Sequence, residues 1–142
     1  MLGVLREGTA SPDPPYTLAD LRTLFHRVQR AGTVVDAVII GAPDQVPAAV
    51  SREAYRIVQE GLTNAMRHPG PITVRVSVGS DRLEVELTNP IASGAVTERG
   101  GRGLTGIAER VHVLRGVVTA GPVTDDNGRR WRLVASLPLS RS

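Results

Sequence analysis

At 142 residues the chain is long enough for one domain with a single core and too short for two. It has neither cysteine nor lysine, which excludes a disulfide framework, a thiolate metal site, the phosphate-binding lysine of a P-loop and Schiff-base chemistry. The net charge of +3 comes from arginines scattered along a chain with 3% aromatic residues, which argues against a nucleic-acid partner, and the absence of a long apolar run or signal-peptide core makes it read as soluble and cytoplasmic.

Leu2 to Arg6 is a short apolar piece followed by a linker rich in Ser, Pro and Asp, so residues 1–16 read as the tail of an upstream helix and a linker. Leu18, Leu21, Leu24, Phe25 and Val28 mark an amphipathic helix up to Arg30, with Thr17 as its cap and Gly32 as its stop. Thr33 to Ile40 is β-branched and apolar and reads as a strand, turned by Gly41 to Asp44.

A longer helix is expected over Ser51 to His68, because Ala54, Ile57, Val58, Gly61, Leu62, Ala65 and Met66 recur at three- and four-residue intervals. Pro69 closes it. Along the edge of that stripe, Glu60, Asn64, Arg67 and His68 project the same way. A carboxylate, a carboxamide and two donors in this order have the chemistry to hold a hydrated divalent cation and the phosphates it bridges; the same spacing also describes a solvated helix edge.

Ile72 to Val78 and Leu83 to Leu87 alternate apolar and polar residues around Gly79-Ser80-Asp81, a hairpin. Asn89 to Gly101 lacks periodicity and reads as a loop. Leu104, Ile107, Ala108, Val111 and Leu114 restore helical spacing; Val117 to Ala120 and Trp131 to Leu137 are strands around a turn at Gly121 to Arg130, with Trp131, Leu133, Ala135 and Leu137 on one face. This order implies an α+β fold, a two-layer sandwich with a mixed, mostly antiparallel sheet and helices on one face.

Gly100-Gly101-Arg102-Gly103-Leu104-Thr105-Gly106 opens the last helix. Glycines there let backbone N–H groups approach a ligand, and the helix N-terminus attracts anions such as phosphate. A flexible entry to a helix has the same look. Because a loop precedes it, the stretch is not a dinucleotide fingerprint.

The sequence E-G-L-T-N-A-M-R-H, followed by the hairpin, then G-G-R-G-L-T-G-I-A-E-R-V, L-R-G and the closing G-R-R-W-R-L-V-A-S-L-P-L, resembles the ATP-binding catalytic domain of bacterial sensor histidine kinases. More narrowly, it is similar to kinases that pair with NarL-type response regulators, within the GHKL ATPases. The resemblance runs from Leu18 to Leu139, so residues 17–139 are the expected domain and 140–142 a tail. It implies the Bergerat fold with ATP and Mg²⁺ as ligands. Asn64 matches the asparagine that coordinates the metal, Glu60 the acidic residue that positions metal or water, and Arg67 and His68 the positions approaching phosphates. Gly101, Arg102, Gly103, Leu104 and Thr105 match the second glycine box.

Family members carry Asp-x-Gly-x-Gly where this chain reads Asn89-Pro90-Ile91-Ala92-Ser93. An asparagine oxygen still accepts the adenine amino hydrogen, but a neutral bond is roughly 1 kcal/mol weaker, which implies about five- to tenfold weaker adenine binding. By that reckoning Asn89→Asp should bring a several-fold gain. The resemblance also implies dimerisation and phosphoacceptor helices as partners, in cis or in trans, together with a cognate NarL-type response regulator, and a monomer when isolated. His26 and His112 read as surface histidines and not as the phosphoacceptor. The alternative is a degenerate domain, with ATP binding weakened or lost, that serves as an interaction or regulatory module.

Overall fold

The structure, a computed structural model, describes residues 16–91, 101–126 and 128–139, with the backbone alone over 101–105. The first helix opens as a 3-10 turn, Leu18–Asp20, that runs into α1, Leu21–Arg30. Thr17 caps it as the sequence implies: its Oγ1 accepts from the Ala19 N–H at 3.3 Å, while Asp20 Oδ2 accepts from the Thr17 N–H at 2.8 Å. Just before the cap, Tyr16 stacks on Tyr55 with ring centroids 5.2 Å apart. Burial raises the Tyr55 hydroxyl above the ordinary tyrosine range, against the opposing pull of Arg27.

Strands β1 (Val35–Ile40), β2 (Ile72–Val78), β3 (Arg82–Pro90), β4 (Val117–Asp125) and β5 (Gly128–Pro138) form one sheet in the order β1-β2-β3-β5-β4. The β1–β2 pair is parallel and the others antiparallel, so the sheet is mixed as expected. Leu83, Val85 and Leu87 of β3 and Trp131, Leu133, Ala135 and Leu137 of β5 are buried beneath the helices, whereas Arg132 and Glu86 pair at 2.8 Å on the open face. At the turn after β1, Gly41 has φ +96 and an added Cβ would press on the Val78 carbonyl oxygen. Gly41→Ala is therefore expected to destabilise by more than about 2 kcal/mol, from left-handed strain plus forced backbone movement, measured by urea unfolding.

Several expected boundaries move. Helix α2 spans Ala48–Ala65, not Ser51 to His68: it starts directly after Pro47, whose fixed φ suits a helix start, and ends where the Met66 N–H closes on the Leu62 carbonyl. Asn89 and Pro90 belong to β3 and not to a loop, because Asn89 pairs with Trp131, Pro90 with Arg130, and the Ile91 N–H reaches the Arg129 carbonyl at 3.0 Å. Likewise β4 and β5 stay paired out to Asp125 and Gly128, which shortens the turn read at Gly121 to Arg130. Helix α3, Gly101–Val113, begins at the glycine stretch itself. Of the linker and tail expected at residues 1–16 and 140–142, all but Tyr16 lie outside the described residues.

Candidate functional site

The site is built on α2 and on what lies to either side of it. Its position over the sheet depends on Gly61, where an added Cβ would meet Leu87 Cδ1 at 2.9 Å and Leu133 Cδ1 at 3.6 Å. With no side chain at that point, the helix backbone settles directly onto β3 and β5. One turn later the contact becomes polar. Asn89 Nδ2 donates to the Ala65 carbonyl at 3.2 Å and to the Pro90 carbonyl at 3.3 Å, which joins the end of α2 to the end of β3.

These bonds also fix which way the Asn89 amide faces. Both of its hydrogens are taken, so its Oδ1 is left as a pure acceptor, and the residue is 1% exposed. That oxygen is buried without a partner. On the neighbouring residue along α2, Asn64 Nδ2 is also buried without a partner. Among the described residues, the buried side-chain polar atoms left unsatisfied are these two, one on Asn89 and one on the residue that precedes its partner Ala65. Leaving a buried polar group unmade costs roughly 1–3 kcal/mol, so two in one place need an explanation.

The other wall is α3. Arg110 Nε donates to Glu53 Oε2 of α2 at 3.0 Å. Val113, Leu114 and Arg115 line a groove of about 770 Å³ with Pro47, Ala49 and Val50. The C-terminal end of α3 thus lies against the N-terminal end of α2. The two helices run antiparallel, and the first turn of α3 is directed toward the Glu60–Asn64 end of α2. At ~100° per residue, positions 53, 60 and 64 fall within about 20° of one line along α2. The stripe that Arg110 contacts is therefore the one that carries Glu60 and Asn64.

Of the expected site residues, Glu60 and Asn64 are half-buried on α2 and Asn89 is buried on β3, bonded to Ala65 at the end of that helix. Arg67 and His68 are not on the helical ridge. They follow the end of α2 in a turn where the Arg67 N–H bonds the Asn64 carbonyl at 3.2 Å and the His68 N–H the Ala65 carbonyl at 3.0 Å. Arg67 is exposed and His68 half-buried. Residues 101 to 105 form the first turn of α3. His26 and His112 are exposed. Glu53 and Arg110 are the residues that sequence reasoning missed; the signal for Glu53 was its place seven and eleven positions before Glu60 and Asn64.

The layered arrangement, a mixed sheet under helices, has counterparts among solved structures. The chain superposes on the histidine kinase AdeS of Acinetobacter baumannii with a TM-score of 0.61 at 15% identity, covering 87% of this chain and 62% of that one. For the blue-light activated histidine kinase EL346 of Erythrobacter litoralis the TM-score is 0.64 at 21% identity, over 89% and 46%. For the catalytic domain of histidine kinase ThkA in a nucleotide-free form it is 0.62 at 12% identity, over 88% of this chain and 92% of that domain. The chain has the fold of a histidine kinase catalytic domain. By sequence, the chain is 32% identical over 127 residues to the sensor histidine kinase YxjM of Bacillus subtilis (strain 168), matching 86% of this chain and 30% of that protein. It thus spans about a third of the length of that curated relative. No family model matches it.

Asn89 lies near the end of β3, the middle strand of the sheet, and Glu60 and Asn64 lie on α2. Among the described residues no helix is long and apolar enough to cross a membrane, and no three His, Asp or Glu side chains come together to hold a metal ion.

Proposed function

We propose that this chain is the ATP·Mg²⁺-binding catalytic domain of a sensor histidine kinase and positions the γ-phosphoryl group for transfer to a histidine outside the described residues. The observation that carries the reading is the pair of unsatisfied buried amide atoms, Asn64 Nδ2 on α2 and Asn89 Oδ1 on the strand bonded to the end of that helix. A ligand that supplies hydrogen-bonding groups there removes two desolvation costs at once. The likeness to sensor histidine kinases supports a kinase-type enzyme.

Each residue then has a role. Asn89 Oδ1, restricted to accepting, selects a base that offers an N–H, as the adenine amino group does, and opposes the carbonyl oxygen that guanine presents at the same place. Asn64 Oδ1 and the Glu60 carboxylate would hold Mg²⁺, since hard cations prefer oxygen donors, and the unpartnered Asn64 Nδ2 would donate to an oxygen atom of the metal's shell. The metal supplies positive charge against the phosphate oxygens. The first-turn amides of α3, including Gly101 to Thr105, direct partial positive charge at the same phosphates. The domain's own contribution to the reaction is thus positioning and electrostatics. The phosphoacceptor and dimerisation helices, and a response regulator of NarL type, are the partners this reading requires, with the motif resemblance as their support.

Titration with ATP and GTP by calorimetry, with and without Mg²⁺, tests the proposal. Saturable ATP binding strengthened by Mg²⁺ and at least about tenfold tighter than GTP is expected, since a mispaired buried acceptor costs about 1–3 kcal/mol. No heat and no thermal shift at millimolar ATP would overturn it. One observation favours the degenerate alternative: β3 continues in regular pairing through Pro90, and Ile91 is buried where relatives carry the first glycine of the box. The same titration decides between the two.

A further inference from the structure

We propose that Glu53 and Arg110 form a tether that holds the first turn of α3 over the Glu60–Asn64 end of α2, so that Arg110 is a positioning residue for the phosphate end of the site. The inference rests on the nucleotide reading above and deepens it.

Three observations carry it. The Arg110–Glu53 pair at 3.0 Å is the ion pair between α2 and α3 among the described residues; Arg132–Glu86 and Arg130–Asp125 tie strands together. The Glu53 side chain is 10% exposed and that of Arg110 48%, so the carboxylate is set into the domain while the guanidinium reaches in from the rim. Glu53 also shares the helical stripe of Glu60 and Asn64, and the point where α3 is attached therefore lies in line with the groups α3 must oppose.

The geometry of the arginine makes the attachment specific. An added Cβ at Gly106 would stand 3.9 Å from Arg110 Nη1, so the guanidinium lies back along its own helix toward the N-terminal turn, over a position without a side chain. Ile107 and Val111 are both 1% exposed and anchor α3 to the core through apolar contact, which resists separation but is tolerant of small slides along the axis. A directional charged hydrogen bond one turn from Ile107 removes that freedom. A helix tip serves an anion only within about a turn of its end, so a slide of α3 would be felt at the phosphates and not at the base.

The test compares ATP with adenosine. Glu53→Gln and Arg110→Gln are each expected to weaken ATP binding about tenfold, the loss of one charged hydrogen bond, while adenosine affinity, followed by amide chemical shifts, stays within twofold. The double variant should be no weaker than either single one, as for two residues acting as a unit. Hydrogen exchange in the second turn of α3, whose amides are the first to bond within the helix, should rise at least tenfold in both single variants, with β2 and β3 unchanged. Equal loss of ATP and adenosine, additive losses, or unaltered exchange in α3 would overturn the tether and leave the nucleotide reading standing. A wild-type protein that binds no ATP would overturn that reading and the positioning role with it.

Discussion

Asn89→Asp is expected to destabilise the domain by roughly 3–5 kcal/mol at neutral pH, the scale for an uncompensated buried charge. In thermal unfolding this lowers Tm by more than about 10 °C. The motif comparison alone points the other way, toward a several-fold gain in nucleotide binding once the usual acid is restored. Geometry decides against it. The amide nitrogen of Asn89 donates to both the Ala65 and Pro90 carbonyls, and an oxygen in its place would face two acceptors at about the same distances. Among the described residues, the hydrogen bonds made by the Asn89 side chain go to backbone carbonyls and not to a cation. Burial and the two carbonyl dipoles would raise the introduced acid above its unfolded value of about 3.9. The sign follows: the unfolded state ionises first as pH rises, so the variant is closest to wild type near pH 4 and falls further behind until the folded-state acid also ionises. Denaturant unfolding at pH 4 and pH 7 measures this. A variant as stable as wild type at pH 7 would mean that the nitrogen does not join α2 to β3.

The same residue shows where sequence reasoning succeeds and where it stops. Leu18, Leu21, Leu24, Phe25 and Val28 are all buried, as are Trp131, Leu133, Ala135 and Leu137, because apolar periodicity is a direct consequence of having one face toward a core. The hairpin at residues 72 to 87 and the layer arrangement follow from the same rule. Asn89 and Pro90 escaped it because their place in β3 is conferred by pairing with Trp131 and Arg130, some forty positions away, and no local pattern records that. Arg67 and His68 were assigned to a ridge by spacing, but the helix stops at Ala65 and the spacing lapses with it. Glu60 and Asn64 were legible as a pair, since i and i+4 meet on any helix. The Glu53–Arg110 bond spans 57 positions, and only the packing of α3 on α2 reveals it.

Asn64→Ala is expected to abolish the Mg²⁺-dependent part of ATP binding while leaving the unliganded domain as stable as wild type, or more stable by about 1 kcal/mol. Two terms set the stability side. The substitution removes a buried donor that has no partner, relieving part of a desolvation cost of roughly 1–3 kcal/mol, and alanine is the better helix former by about 0.5 kcal/mol. Against them stands the packing of a half-buried side chain, which is worth less than a core residue. On the binding side the loss is confined to the metal: affinity with Mg²⁺ should fall at least about tenfold to the value measured without it, with Trp131, the chain's one tryptophan and the cross-strand partner of Asn89, serving as a fluorescent reporter. A side chain that serves the fold loses stability and binding together when it is truncated. One kept for a ligand loses binding alone, because its cost in the free protein is already present. Opposite signs in urea unfolding and Mg²⁺–ATP titration therefore assign Asn64 to the ligand. A parallel fall in both would return it to the fold, and unchanged binding would reduce it to a polar residue on a helix edge.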